Sequence, residues 1–277
     1  MTQHTIMIQS DDQKGLVNKI TEIIFKKNLN IEKNDEFVDK DNNKFFMRTE
    51  VTGECNNQEL ESQFKLVLPE NSSIKVLRKR KKDVIIMVTK ESHCLGDILM
   101  RTYAEDLDIN ILAIVSNHNS LEDISKKFNI PFFFVSHENL SREEHESQVT
   151  KIIDQFQFDY MILAKYMRIL NPEFVQRYKD KIINIHHSFL PAFIGANPYK
   201  QAYQRGVKII GATAHFVNES LDEGPIIFQN TIHIDHTYSW KDMQKSGRDV
   251  EKLVLSKAVE LAITDRIFVY KNKTVIF

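Results

Sequence analysis

Three polar residues in the segment from Lys181 to Gln229 have the types and spacing to act on a carbonyl group. Asn184 and His186 end a short apolar run and lie two positions apart, so on a β-strand their side chains point to the same side. Asp222 lies in the acidic turn LDEGP. An amide and an imidazolium can donate hydrogen bonds to a developing oxyanion, while a carboxylate can orient the imidazole or take a proton from water. The same residue types also form turns and caps, so alone they leave a structural role open.

Other kinds of chemistry find less support in the residue spacing. Four histidines raise the alternative of a zinc site: His186, His215, His233 and His236. The chain has neither an HxxxH nor a CxxC pair, the spacings that zinc sites commonly use, so we predict no metal. Ser188 lacks the strand–turn–helix context of a hydrolase nucleophile. A GxGxxG fingerprint is absent, which argues against the usual mode of dinucleotide binding.

Alternating strand and helix patterns from Asp83 onward predict a doubly wound, mainly parallel sheet. The predicted strands are 83–89, 110–116, 131–135, 160–163, 182–185, 208–217 and 226–234. The predicted helices are 94–105, 121–128, 142–156 and a last helix capped by Ser239 and running to about 265, followed by a hairpin over 266–277. Folds of this class bind ligands at the carboxyl ends of the strands, where Asn184 and His186 would lie.

The first 80 residues predict a separate ferredoxin-like domain. Strand patterns at 5–9, 30–38, 44–52 and 74–77 and helix patterns from Leu16 and from about Asn57 give the order βαββαβ. The basic run Arg78 to Lys82 that follows is interpreted as a solvated linker. We therefore place one domain at residues 1–80 and a second at 83–277.

Composition limits the classes of partner. The chain has 277 residues, 42% of them apolar, and a net charge of −1, which argues against a nucleic-acid or membrane-surface binder. Its two cysteines, Cys55 and Cys94, are predicted to be free thiols of a reducing compartment. No apolar stretch approaches the length of a membrane span or signal region, so a cytoplasmic protein is expected.

Four motifs add a family resemblance. NIHHSFLPAF, GATAHFV and LDEGPII, with HCLGD upstream, resemble the folate-dependent formyltransferase family and, within it, the branch that hydrolyses 10-formyltetrahydrofolate to formate and tetrahydrofolate. The resemblance runs from about Asp83 to the C-terminus. It implies that the reaction balances the one-carbon folate pool, supplies formate for purine synthesis, and uses folate as substrate with no further cofactor.

The resemblance also implies roles for individual residues. Asn184 would bind the formyl oxygen, His186 would stabilise the oxyanion and later protonate N10, and Asp222 would polarise His186 and activate water. The stretch AKYMRIL resembles the one that lines the pterin slot in this family. We accordingly expect substrate contacts from five residues: Met167, Arg168, Leu170, His187 and Gly224.

Two alternatives remain open at this stage. The first is formyl transfer to an amine, although the phosphate-binding loop of the ribonucleotide formyltransferases is reduced here to Gly96 in the segment 90–97. The second is an inactive regulator that binds folate or an amino acid.

The N-terminal domain resembles ACT domains, which bind small effectors. Methionine and glycine are the candidate effectors, and assembly into a homo-oligomer is the other role expected of this domain.

Overall fold

The computed structural model describes residues 2–192 and 197–277. Phe193, the last residue of the NIHHSFLPAF motif, lies outside the described residues. The chain divides into two compact units. The first contains the chain up to Arg80 together with Asp265–Phe268 and Val275–Phe277, and the second contains Lys81–Thr264 and Val269–Thr274. No helix in the described part is both long and apolar enough to cross a membrane.

The first unit has the predicted ferredoxin-like order. Its elements are β1 (Gln3–Asp11), α1 (Leu16–Lys26), β2 (Asn30–Asp39), β3 (Lys44–Thr52), α2 (Asn57–Val67) and β4 (Ser73–Arg78). The strands form an antiparallel sheet in the order β2-β3-β1-β4. Alternate residues of β1, such as Ile6 and Ile8, pack in one core with Leu16, Ile20 and Phe64 of the helices. The apolar face of the sheet, with its period of 2, thus packs against the apolar faces of the helices, with their period of 3.6, in a single layer.

The second unit begins with alternating strands and helices. Its elements up to the first catalytic candidates are β5 (Lys82–Val88), α3 (His93–Tyr103), β6 (Ile109–Ser116), α4 (Glu122–Lys127), β7 (Phe132–Phe134), α5 (Arg142–Ile153), β8 (Tyr160–Leu163), α6 (Pro172–Arg177) and β9 (Ile182–His186). These five strands are parallel in the order β9-β8-β5-β6-β7. Val84 to Val88 are fully buried, as expected for a strand covered on both faces.

Two more strands complete this sheet, a long helix packs on it, and a separate two-stranded sheet follows. The remaining elements are α7 (Pro198–Arg205), β10 (Ile209–Phe216), β11 (Ile226–His233), α8 (Trp240–Ile263), β12 (Ile267–Tyr270) and β13 (Lys273–Ile276). β10 pairs antiparallel with β9, and β11 antiparallel with β10. The seven-stranded sheet is therefore mixed but mainly parallel, which confirms the predicted fold class.

Two short helices were missed by the sequence patterns. α6 and α7 have only six and eight residues, too few for a clear apolar period. A local signal was nevertheless present, because each begins with Asn-Pro, an N-cap residue followed by proline in the first turn. In α6 the Asn171 side chain accepts a hydrogen bond from the Phe174 backbone N–H at 2.7 Å.

The basic run is a short exposed connection, as interpreted from the sequence, except at its last residue. Arg78 ends β4 and Lys82 begins β5, so only three residues connect the two strands. Lys82 is 6% exposed, and Lys81 makes an ion pair with Asp108 at 3.5 Å. A lysine stem can be buried along apolar surface, which composition alone does not reveal.

Candidate active site

The strand β9 places Asn184 and His186 on the same side of the sheet, at the carboxyl end of the parallel strands. His186 is buried, and Asn184 is partly buried. Asp222 comes from the turn between β10 and β11, and its Oδ2 lies 3.2 Å from His186 Nδ1. Three residues predicted from their types are therefore brought together at one edge of the sheet.

Asp222 is held as a carboxylate. Burial would raise its pKa, but the hydrogen bond with His186 outweighs burial and lowers the pKa well below its ordinary value. Its backbone has φ 58, in the left-handed region that aspartate tolerates better than most residues. The carboxylate stays ionised throughout the neutral range.

His215 is a site residue whose role the sequence did not reveal. In the antiparallel pairing of β10 with β9 it lies opposite Asn184. In the pairing of β10 with β11 a register shift follows Ala214. Its Nδ1 donates to the Phe216 carbonyl at 2.9 Å, so in the neutral ring Nε2 accepts from Asn184 Nδ2 at 3.3 Å. His215 Nε2 is 3.7 Å from Asp222 Oδ1. His215 therefore fixes the orientation of the Asn184 amide and leaves that amide a second N–H.

The other ring nitrogen of His186 is available to a substrate. Nδ1 faces Asp222, while Nε2 is buried and has no hydrogen-bond partner among the described residues. A buried polar atom without a partner is costly and is expected to serve a purpose. Nε2 and the second Asn184 N–H can both donate to one oxygen.

A cavity of about 290 Å³ opens in front of these residues. Its wall includes Asn184, His186, His215 and Asp222, and also Met167, Arg168 and Leu170, the residues predicted from the AKYMRIL stretch. Met167 is 57% exposed, and its backbone N–H donates to Thr89 Oγ1 at 3.0 Å. The surface of the wall is largely apolar, with the polar groups of the catalytic candidates among its lining, a composition suited to a flat aromatic ring system.

Gly224 has a different position from the predicted substrate contact. It does not line this cavity but a second one, on the other side of the Asp222 turn. A Cβ at this position would lie 1.7 Å from the carbonyl oxygen of Phe216. Gly224 is therefore required for the close approach of the turn to β10, and its contact with substrate stays a prediction.

His187 lines the 290 Å³ cavity as predicted. Its ring centroid is 5.3 Å from that of His186 and 6.0 Å from that of Tyr199. Burial and the nearby Lys165 charge lower the pKa of His187 to about 4. His187 is consequently neutral at neutral pH.

The pKa of His187 predicts a dependence of stability on pH. Between about pH 6.5 and 4 the unfolded chain binds a proton that folded His187 does not, so stability should fall as the pH is lowered through this window. In a His187→Gln variant the free energy of unfolding, measured by urea titration, should fall less than that of the wild type over the same window. The difference should be roughly 1–3 kcal/mol. The exposed His233→Gln is the control. Identical curves for wild type and His187→Gln would contradict the assignment.

A second polar cluster centres on Glu251 of α8. Its Oε1 accepts from the Tyr199 hydroxyl at 2.6 Å, and its Oε2 lies 2.8 Å from His93 Nε2 and 3.2 Å from Lys165 Nζ. The side chains of Lys165 and Glu251 are 3% and 1% exposed. Burial opposes ionisation, but His93 and Lys165 outweigh it and lower the pKa of Glu251 to about 2. This is a buried, fully paired ionic network.

Within the described ranges, His93, Cys94 and Glu251 are the group whose ligand atoms approach closely enough to hold a metal ion, all within 4.8 Å. Burial and the Glu251 charge raise the pKa of the Cys94 thiol well above its ordinary value. The Lys165 ammonium also forms an ion pair with Glu251 Oε2, the oxygen that faces His93, at 3.2 Å. Both features oppose binding of a cation here.

Comparison with known proteins agrees with this geometry. A family model described as formyl transferase matches residues 82–259, so the second unit is a formyl transferase domain. Formyltetrahydrofolate deformylase of Haemophilus influenzae is 56% identical over 271 residues, 98% of each chain. The enzyme of the same name from Bacillus subtilis is 38% identical and covers 98% of this chain and 93% of its own.

A solved structure is similar to this chain over its full length. The crystal structure of a formyltetrahydrofolate deformylase from Pseudomonas syringae has a TM-score of 0.96 at 36% identity, covering 100% of this chain and 95% of its own. The chain belongs to the formyltetrahydrofolate deformylase family.

Proposed function

We propose that this protein hydrolyses 10-formyltetrahydrofolate to formate and tetrahydrofolate. The observation that carries the proposal is the buried His186–Asp222 pair at 3.2 Å, with Asn184 beside it, at the wall of a largely apolar cavity. The family relationship over nearly the whole chain supports it. Water is the acceptor of the formyl group.

Each of the three residues has a distinct role in the proposed reaction. The formyl oxygen accepts hydrogen bonds from His186 Nε2 and from the free N–H of Asn184, so both donors stabilise the oxyanion that forms when water attacks the formyl carbon. Asp222 Oδ2 binds His186, which leaves Oδ1 to take the proton of the attacking water. The bond from the formyl carbon to N10 then breaks as His186 gives its proton to N10, formate leaves, and the proton taken by Asp222 returns to His186.

Asp222 makes two contributions to the proposed reaction. Its pKa is lowered by the hydrogen bond with His186, and a carboxylate of low pKa is a weak base, so it takes the water proton as the new C–O bond forms. Its negative charge lies 3.2 Å from His186 Nδ1 and polarises that ring.

The folate ring is proposed to lie against the 167–170 segment. Met167, Arg168 and Leu170 line the cavity beside the catalytic groups, and the hydrogen bond from Met167 N–H to Thr89 fixes the backbone of this segment. Exposed Met167 provides adaptable apolar surface for the ring.

Formate release is the direct test. Purified protein treated with a chelator and given 10-formyltetrahydrofolate without any amine should produce formate and tetrahydrofolate in equal amounts. Formylation of an added amine with no formate in its absence would instead establish a transferase. Loss of activity on chelation, restored by a metal, would point to the His93–Cys94–Glu251 group.

We also propose that the first unit binds an amino-acid effector such as methionine or glycine. A cavity of about 410 Å³ lies at the start of α1 and is lined by Asp12, Gly15, Glu36 and Phe37 among others. Two carboxylates suit an ammonium group, and the N–H groups at a helix N-terminus suit a carboxylate. Calorimetric titration with each amino acid should show saturable binding that Glu36→Gln weakens. Equal binding by that variant would contradict this location.

Assembly into a homo-oligomer is proposed for the same unit. β2 is an edge strand with exposed Ile31 and Phe37, and such an edge can pair with a second copy. A monomer by light scattering at micromolar concentration would contradict assembly.

A further inference from the structure

The turn that carries Asp222 is tightly packed on the side that faces β10. Towards β10 the Gly224 backbone approaches the Phe216 carbonyl so closely that no side chain fits, and Phe216 N–H donates to the Pro225 carbonyl at 2.9 Å. Asp222 itself has φ 58, a conformation that costs free energy and persists only when its surroundings enforce it. The position of the carboxylate therefore depends on what supports the other side of the turn.

On its other side, the described residues of the turn border a cavity. The cavity measures about 650 Å³. Its wall includes Asp222, Glu223 and Gly224 from the turn and Asn272, Lys273 and Thr274 from the tip of the β12–β13 hairpin. Glu223, Asn272 and Lys273 are exposed, so this cavity is open at the surface and the turn has room to shift into it and away from His186.

Two side chains of the hairpin tip bridge to the turn. Asn272 Nδ2 donates to the Glu223 carbonyl at 2.8 Å, and Thr274 Oγ1 donates to the Ile226 carbonyl at 2.6 Å. The accepting carbonyls belong to the residue that follows Asp222 and to the first residue of β11. Both hydrogen bonds thus act on the backbone of the turn and leave the Asp222 carboxylate free.

We propose that Asn272 and Thr274 are positioning residues for Asp222. By tying the Glu223 and Ile226 carbonyls to the hairpin, they prevent the turn from relaxing into the cavity and keep the carboxylate at hydrogen-bond distance from His186. The hairpin lies beyond residues 82–259, the extent of the formyl transferase match. The proposal rests on the hydrolytic function proposed above.

The test is the double variant Asn272→Ala/Thr274→Val. A displacement of about 1 Å at a catalytic group can cost about a hundredfold in rate, and partial relaxation of the turn should lower kcat by about tenfold. KM for 10-formyltetrahydrofolate should change less than twofold, because the 167–170 segment is untouched. The single variant Thr274→Ser, which keeps the hydroxyl, should retain wild-type kcat.

Lys273→Ala is the matched control, since Lys273 lines the same cavity between the two positions, and it should leave kcat unchanged. A double variant with wild-type kcat overturns the proposal, and so does a rise in KM with kcat preserved. Should the double variant fail to fold, the two single variants at Thr274 test the proposal. Thr274→Val should lower kcat and Thr274→Ser should not, and equal kcat in both would overturn the proposal. Absence of formate from wild type would overturn the proposed function instead, so the two failures are distinguishable.

Discussion

An Asp222→Asn variant is expected to lose hydrolytic turnover by about a thousandfold or more while keeping its fold. The amide has nearly the same shape as the carboxylate but carries no charge, so it no longer favours the imidazolium form of His186, which lies 3.2 Å away. It also cannot take a proton from water. Oxyanion stabilisation and proton transfer are each worth several powers of ten, and Asp222 contributes to both.

The measurement is kcat for formate release at saturating 10-formyltetrahydrofolate. Glu223→Gln provides the control, because it removes a neighbouring carboxylate from the same turn while keeping the Glu223 backbone carbonyl that accepts from Asn272. Circular dichroism should be the same for both variants. Full activity in Asp222→Asn would refute the assigned role of this residue.

A Glu251→Ala variant is expected to lower the free energy of unfolding by about 3–5 kcal/mol. The substitution leaves the Lys165 ammonium buried with its carboxylate partner gone, and it also removes an acceptor from His93 and Tyr199. A buried charge that loses its partner has a large desolvation cost, which the surrounding protein cannot offset. The loss should appear as a shift of the urea midpoint.

The control for this prediction is the exposed ion pair Glu122–Lys126, whose side chains are 40% and 65% exposed. Glu122→Ala should cost under about 1 kcal/mol, because water screens the pair. The double variant Glu251→Gln/Lys165→Met should be more stable than Glu251→Ala, since it leaves no buried charge unpaired. A Glu251→Ala midpoint close to that of wild type would contradict the role of the network.

The sequence by itself determined the features that depend on neighbours along the chain. The alternation of β9 placed Asn184 and His186 on one side, and the LDEGP stretch marked the turn that carries Asp222. The order βαββαβ of the first unit and the mainly parallel sheet of the second followed from the periods of their apolar residues. Such signals are readable because side-chain direction within a strand or helix is fixed by local backbone geometry.

Tertiary structure alone decided which distant residues meet. His215 acquired its role through the antiparallel register that sets it opposite Asn184, and Glu251 meets His93 across 158 positions of the chain. Gly224 allows its backbone to approach Phe216, a requirement that appears only when the turn is packed against β10. Contacts of this kind depend on how elements pack in three dimensions, and no local period or spacing in the chain encodes that packing.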